Sequence, residues 1–213
     1  MSNTNLKIIA CITMLIDHIG AILYPDVSLL RMIGRLSFPI FTFLIVEGFH
    51  HTKNIKKYGI RLGIFALISE IPYDLAFRGN FIDFYKQNIF FTLFLGLVCL
   101  WLYHRYKAHQ PMLAMMAVLL IGALSVILRT DYTIYGISMI FLFDFFRDKR
   151  IIACGAVGAI NFMMGSMVQG LAIFALPLIL AYNGKKGIHL KFLFYGFYPV
   201  HLMVLYLIKI VWK

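Results

Sequence analysis

The chain has 213 residues, 62% of them hydrophobic and only 14% charged, and a formal net charge of +11. Apolar runs of 17 or more residues alternate with short basic connections, a pattern that excludes an ordinary soluble domain and identifies the lipid bilayer as the solvent. The positive charge sits mainly in the connections, so it is no signal for nucleic acid, and with no water in the bilayer core the spanning elements must be helices.

In chain order the hydropathy predicts spans near 6–24, 32–49, 58–77, 88–104, 111–128, 133–146, 151–165, 168–182 and 190–210. The expectation is a single-domain (1–213) all-α integral membrane protein, a polytopic helical bundle of about nine transmembrane helices. The first run has Lys7 as its only early cation and no Ala-x-Ala-like site after it, and reads as a retained span rather than a removed signal peptide. No internal repeat is visible, since the polar motifs of the first half have no counterparts in the second.

The connections alternate in charge. The second (Lys53, Lys56, Lys57, Arg61), fourth (Arg105, Lys107), sixth (Arg147, Lys149, Arg150) and eighth (Lys185, Lys186, Lys191) are basic. The odd-numbered ones hold only Arg31, Arg78, Lys86 and Arg129, with Lys209 and Lys213 near the C-terminus. The positive-inside rule then puts the N-terminus in the cytoplasm. Residues 151–183 form a 33-residue stretch without a charge, and both its flanks are basic. Two short crossings with a turn near Gly165-Ser166 are expected there, a re-entrant segment being the alternative for one of them. Cys11, Cys99 and Cys154 are widely spaced in apolar sequence and read as buried thiols, not as a disulfide or zinc framework.

Charged side chains at a helix centre cost about 2.5–3.5 kcal/mol on insertion scales, so they persist where a partner faces them inside the bundle. Asp17 and His18 lie deep in the first span, Arg35 and Glu47 in the second, Glu70 and Asp74 in the third, Asp144 in the sixth and His201 in the last. Neighbours on a helix are turned about 100° apart and do not face each other, so Asp17 and His18 each need a partner on another element. Arg35 is the cation expected for Asp17, with Glu47 its alternative partner. Asn88, Thr92 and Gly96 form a small polar stripe, and Lys191, Tyr195, Tyr198 and His201 share a face of the last helix, bent by Pro199. Two such faces can line one cavity; the competing readings are close packing for the first and interfacial anchoring for the tyrosines. His50, His51, His104, His109 and His189 fall in basic connections without carboxylates at ligand spacing, so they read as solvated, His50 and His51 alternatively as anion-binding, and no metal is expected.

The segments "IDHIGAIL", "LRMIGRLSFPIFTFLIVEGFHHTKN", "YGIRLGIFALISEIPYDLAF", "QNIFFTL", Tyr135-Gly136, "LAYNGKKG" and "KFLFYGFYPVHL" resemble, in order and over nearly the whole chain, the TraX family of bacterial membrane acetyltransferases. The resemblance implies an inner-membrane enzyme that takes an acetyl group from cytoplasmic acetyl-CoA, and founding members are associated with N-terminal acetylation of conjugative pilin. The acceptor is a protein N-terminus or an envelope glycan. It also implies roles: His18 as general base, Asp17 and Arg35 beside it in the catalytic group, and Arg35, Asn88 or Tyr198 steadying the oxyanion. The anionic donor would meet Lys53, Lys57, Arg61, Asn88, Asn183, Lys185, Lys191, Tyr195, Tyr198 and His201, and the acceptor Glu47, Glu70 and Thr92. His18 is expected in a cavity opening to the cytoplasm. A proton-coupled transporter using Asp17, His18, Glu47 and Glu70, or a non-catalytic assembly factor, are the competing functions.

Overall fold

The computed structural model describes residues 1–164, 167–188 and 191–212, and the side chains of all of these but 164, 167 and 191–193. His189, the turn at Gly165-Ser166, Lys213 and the Lys191 side chain therefore lie outside what is described. The described chain is helical: α1 (Asn3–Ile22), α2 (Ser28–Gly34), α3 (Ser37–His51), α4 (Ile55–Arg78), α5 (Ile89–Tyr106), α6 (Pro111–Ile127), α7 (Thr133–Phe145), α8 (Arg150–Met164), α9 (Met167–Gly170), a 3-10 turn (Leu171–Ala175), α10 (Leu176–Leu180) and α11 (Lys191–Trp212). Among the described residues there is no strand, only an isolated bridge between Gln87 and Thr130.

Among the described residues four stretches are long and apolar enough to cross a membrane: Asn3–Ile22, Ser28–His51, Ile89–Tyr106 and Phe194–Trp212. The expected second span is broken into α2 and α3 at Arg35 and Leu36, which sets the Arg35 side chain at a joint instead of on a regular helical face. α4 carries more charge than those four, yet Ile60, Ile64, Leu67, Ile68 and Ile71 are exposed along one stripe of it. That spacing is the helical repeat, so its charges are confined to the ends and the inner face. α6 is likewise exposed at Met112, Met116, Leu119, Leu120 and Ile127.

Helix ends are specified locally. Ser2 accepts from Asn5 N–H at α1, Asn54 from Lys57 N–H at α4 and Asn88 from Phe90 N–H at α5. α4 ends on Gly79, whose φ of 78° is the left-handed conformation glycine adopts without a Cβ penalty. Pro111 starts α6 in the first turn, where its missing N–H is not needed.

The chain returns to one end of the bundle after each pair of passes. At that end the N-terminus is pinned to the segment after α10: Asn3 N–H donates to Lys185 O at 2.8 Å, Asn183 N–H to Met1 O at 2.9 Å and the Thr4 hydroxyl to Ile188 O at 2.8 Å. The start of α8 reaches the same place, because Arg150 donates to Tyr182 O at 2.6 Å. Residues 151–182 thus leave and come back, but the return is made by two short helices and a 3-10 turn, not one regular helix. At the opposite end, Gln87 N–H donates to Arg129 O at 3.0 Å and Lys86 pairs with Asp131 at 2.6 Å, joining the α4–α5 and α6–α7 connections. All three cysteines are free and buried.

Candidate functional site

α1 and α2 approach so closely that glycine is required at the contact. A Cβ on Gly34 would overlap the Asp17 side chain, and one on Gly20 would lie 2.7 Å from Leu30 Cβ. This brings Asp17 within reach of two guanidinium groups: Arg31 at 2.6 Å and Arg35 at 2.8 Å, one on each carboxylate oxygen. Arg35 therefore pairs with Asp17 and not with Glu47. It also donates to Gln169 Oε1 at 3.2 Å; Gln169 donates to the Tyr135 hydroxyl at 3.1 Å, and Tyr135 donates to Asn161. A continuous polar chain therefore runs from α1 through the α2–α3 joint to α9, α7 and α8. Such a network is stabilising only when its members are satisfied, and these are.

His18 points away from Asp17 and meets the last helix. Its Nδ1 lies 2.7 Å from His201 Nε2, and the two rings are nearly coplanar and meet edge to edge, with centroids 5.0 Å apart and planes 6° apart. His201 Nδ1 lies 2.6 Å from Phe197 O, which can only accept, so that nitrogen carries the proton. In the neutral pair, His201 Nε2 is then the acceptor and His18 Nδ1–H the donor. The lone pair on His18 Nε2 is left available, the tautomer a general base needs. Phe77 and Tyr198 stand edge-on to the His18 ring at 5.4 and 5.9 Å between centroids.

Asp17, His18, Arg31 and Arg35 line a 600 Å³ cavity whose other polar walls include Arg78, Lys86, Asp131, Tyr132, Tyr135 and Gln169. These come from the odd-numbered connections and the helix ends beside them. His18 was expected in a cavity opening on the N-terminal side; it lies instead in one bounded by the opposite end of the bundle. The reason is depth: about four turns of α1 separate its start at Asn3 from His18 and only about one turn lies beyond it, so the nearest connections are those at the far end of the helix.

A second cavity of 380 Å³ is bounded by the N-terminal end, with Asn3, Lys7, Glu47, His51, Tyr58, Arg61, Lys186 and Tyr195 among its walls. Met14, Phe41, Ile89 and Tyr198 line both cavities. The two are therefore separated by one layer of side chains, of which Tyr198 is the polar member.

The expected donor and acceptor residues divide accordingly. Arg61 and Tyr195 line the N-terminal cavity, as does Glu47, away from the His18 cavity where an acceptor role would put it. Lys53, Lys57 and Lys185 are exposed at the same end without lining it, and Asn183 accepts from Lys185 N–H in the adjoining turn. Asn88 is not on a cavity wall. It caps α5, donates to Ala66 O at 2.8 Å and donates to Glu70 Oε2, which ties α4 to α5, while Glu70 Oε1 is buried without a hydrogen-bond partner among the described residues. Thr92 packs under Gly136, where a Cβ would lie 2.6 Å from its methyl, and Gly96 faces Ile140, so this stripe is a helix contact. Sequence reasoning missed Arg31, Gln169, Tyr132 and Asn161; Gln169 and Asn161 are the two amides inside the charge-free stretch, Asn183 closing it, which is the signal that was available.

A further correction concerns the connection histidines. His50 and His104 are not solvated: their Nε2 atoms lie 2.6 and 2.7 Å from the two oxygens of buried Asp144. His51 instead accompanies Glu47, with Nδ1 2.8 Å from its carbonyl oxygen.

These features define an all-helical protein with membrane-length apolar helices and a polar, histidine-containing cavity at their centre. The family profile described as TraX protein matches residues 2–209, and the chain belongs to the TraX family. It is 29% identical, over 94% of its own length and 92% of the relative's, to the "Probable fimbrial assembly protein FimC, serogroup H1" of Dichelobacter nodosus. It is 35% identical to an uncharacterized protein of Rickettsia prowazekii (strain Madrid E), over 43% of this chain and 33% of that one. No solved structure matches it.

Proposed function

We propose that this chain is an integral membrane acetyltransferase of the bacterial inner membrane that takes acetyl groups from cytoplasmic acetyl-CoA. The observation that carries the reading is the His18–His201 pair, 2.7 Å apart, at a cavity separated by a single side-chain layer from a second, basic cavity. With the N-terminus inside, the basic cavity faces the cytoplasm. Its Lys7, Arg61 and Lys186, with Lys53, Lys57 and Lys185 at the same end, suit the phosphates of coenzyme A, and its apolar and tyrosine walls suit the uncharged acetyl-pantetheine arm. The acceptor then occupies the His18 cavity from the other face. The membrane reading is supported by the exposed apolar stripes of α4 and α6, which a water-facing surface would not present at this length.

The chemistry follows from the tautomer. His18 Nε2 takes the proton of the acceptor N–H or O–H as that atom attacks the thioester carbonyl. Tyr198, lining both cavities, and Arg35 offer donors to the oxyanion; the C–S bond breaks and the proton passes to the departing thiolate. The name of the FimC relative makes fimbrial assembly the second reading, with pilin as the acceptor that joins the two.

The test is acetylation by purified protein in detergent or vesicles, with acetyl-CoA binding measured by calorimetry alongside. His18→Ala should bind donor as the wild type does and lose most turnover. Absence of acetyl-CoA binding by the wild type, with its contribution to fimbriation intact, would make it a non-catalytic assembly factor.

A further inference from the structure

At the N-terminal end of the bundle, three helices bring one side chain each to a common point: His50 at the end of α3, His104 at the end of α5 and Asp144 at the end of α7. The three ligand-type atoms lie within 4.8 Å of one another. Asp144 is buried, its side chain only 2% exposed, while His50 and His104 are 20% and 25% exposed. The cluster is separate from the His18 cavity and lines neither of the two cavities described above.

A buried carboxylate needs a cation, and this one is not held by the common kind. Arg105, Lys107, Arg147, Lys149 and Arg150 flank it in sequence, yet among the described residues none forms an ion pair with it. Lys107 lies over the Tyr103 ring and Arg150 donates to Tyr182 O. Two imidazoles take their place, both through Nε2, with one carboxylate oxygen opposite each. Phe49 and Tyr103 pack against the His104 ring, and Phe49 against His50, restricting both rings.

We infer that His50, His104 and Asp144 form a binding site for a divalent transition metal of the zinc type. Two imidazole nitrogens and one carboxylate oxygen are a recurrent ligand set for that ion, with a fourth position left for water. Bonds of about 2.0 Å in a tetrahedron separate ligand atoms by roughly 3.3 Å, so each ring must withdraw by about half an ångström from the present contacts. Rotation of two partly exposed histidines supplies that. The bound ion would clamp the ends of α3, α5 and α7, and it would hold the backbone that carries His51 into the N-terminal cavity. The site escaped sequence reasoning because its carboxylate lies 94 residues from one histidine and 40 from the other.

The full chain, purified in detergent with a tag that contains no histidines, is incubated with Zn²⁺ or Co²⁺, freed of excess metal by gel filtration and analysed by elemental mass spectrometry and visible absorption. One metal per chain and the intense visible bands of low-symmetry Co²⁺ are expected. Asp144→Asn, which keeps the side chain's size, and His104→Ala should each lose the metal and the bands; His109→Ala should keep both. Heating the metal-loaded and chelator-treated wild type should give a higher unfolding temperature for the loaded protein. A wild type that retains no metal overturns the inference, and so does equal retention by wild type and Asp144→Asn. Neither readout depends on acetyl transfer.

Discussion

Asp17 and His18 are adjacent in sequence and serve opposite partners. Asp17 is held by Arg31 and Arg35, and His18 by His201. The two arginines are not equivalent: the side chain of Arg35 is 15% exposed and that of Arg31 33%. Arg35→Ala should therefore be the more damaging, destabilising by roughly 3–5 kcal/mol because it leaves a buried carboxylate short of a partner, whereas Arg31→Ala leaves a more solvated gap. Thermal unfolding of both variants in detergent checks the order. His18→Ala should lower the acetylation rate by roughly 10²–10⁴-fold, the usual worth of a general base, with donor affinity retained. His201 touches His18 and not the reacting atoms. His201→Leu should cost less than His18→Ala, and His201→Gln, which still offers an acceptor to His18 Nδ1–H, should recover part of the loss. Rates for the three variants, each with its donor affinity, decide between a positioning role and simple packing.

Among the elements, the contact between α1 and α2 has the least room. Gly34→Ala would drive a methyl group into the Asp17 side chain, so it should both destabilise by about 1–3 kcal/mol and displace the carboxylate from its arginines. A Gly34→Ala protein with unchanged stability and activity would show that α2 moves freely against α1. In α11 the proline at 199 removes one backbone donor, and the His201 ring uses the carbonyl of Phe197 in the same turn. Tyr198 and His201, three residues apart, share one face of this helix, so Tyr198 stands between the cavities and His201 against His18. Tyr198→Ala should merge the two spaces, and the expected result is release of free coenzyme A without acceptor, as water reaches the thioester. Thiol release in the absence of acceptor measures it; no increase over wild type would mean that other side chains close the gap.

For the molecule as a whole, the two cavities open toward opposite ends, so topology and function are one question. Single cysteines at Lys186, on the N-terminal cavity, and at Lys86, on the His18 cavity, should be labelled by a membrane-impermeant reagent from opposite faces of the membrane. The native cysteines are buried and leave a low background. Labelling of both from one face would place donor and acceptor on the same side and remove transfer across the membrane from the reading. A reporter fused after residue 212 should lie on the Lys86 side, since Lys209 near the end of α11 donates to Ala76 O at 3.3 Å, beside the end of α4 that leads to Lys86.

Hydrophobic run length and the charges between runs determined the helical class, the bounds of most helices to within a few residues and the alternation of basic and less basic ends, because these depend on local composition alone; the breaks inside the runs at 32–49 and 168–182 were not legible there. The isolated titratable residues marked Asp17, His18, Arg35 and His201 as needing partners, since an unpaired charge in hydrocarbon is costly wherever it sits. Which partner each one found was decided by packing. Arg31 looked like a connection residue until α2 folded back on α1; Asn88 and Glu70 looked like cavity residues until the start of α5 consumed them. His50 and His104 joined Asp144 only because α3, α5 and α7 end side by side. The separation of one expected site into two cavities with a shared wall is likewise a tertiary fact: Met14, Phe41, Ile89 and Tyr198 come from four helices, and no periodicity within any one of them carries the distance to the others.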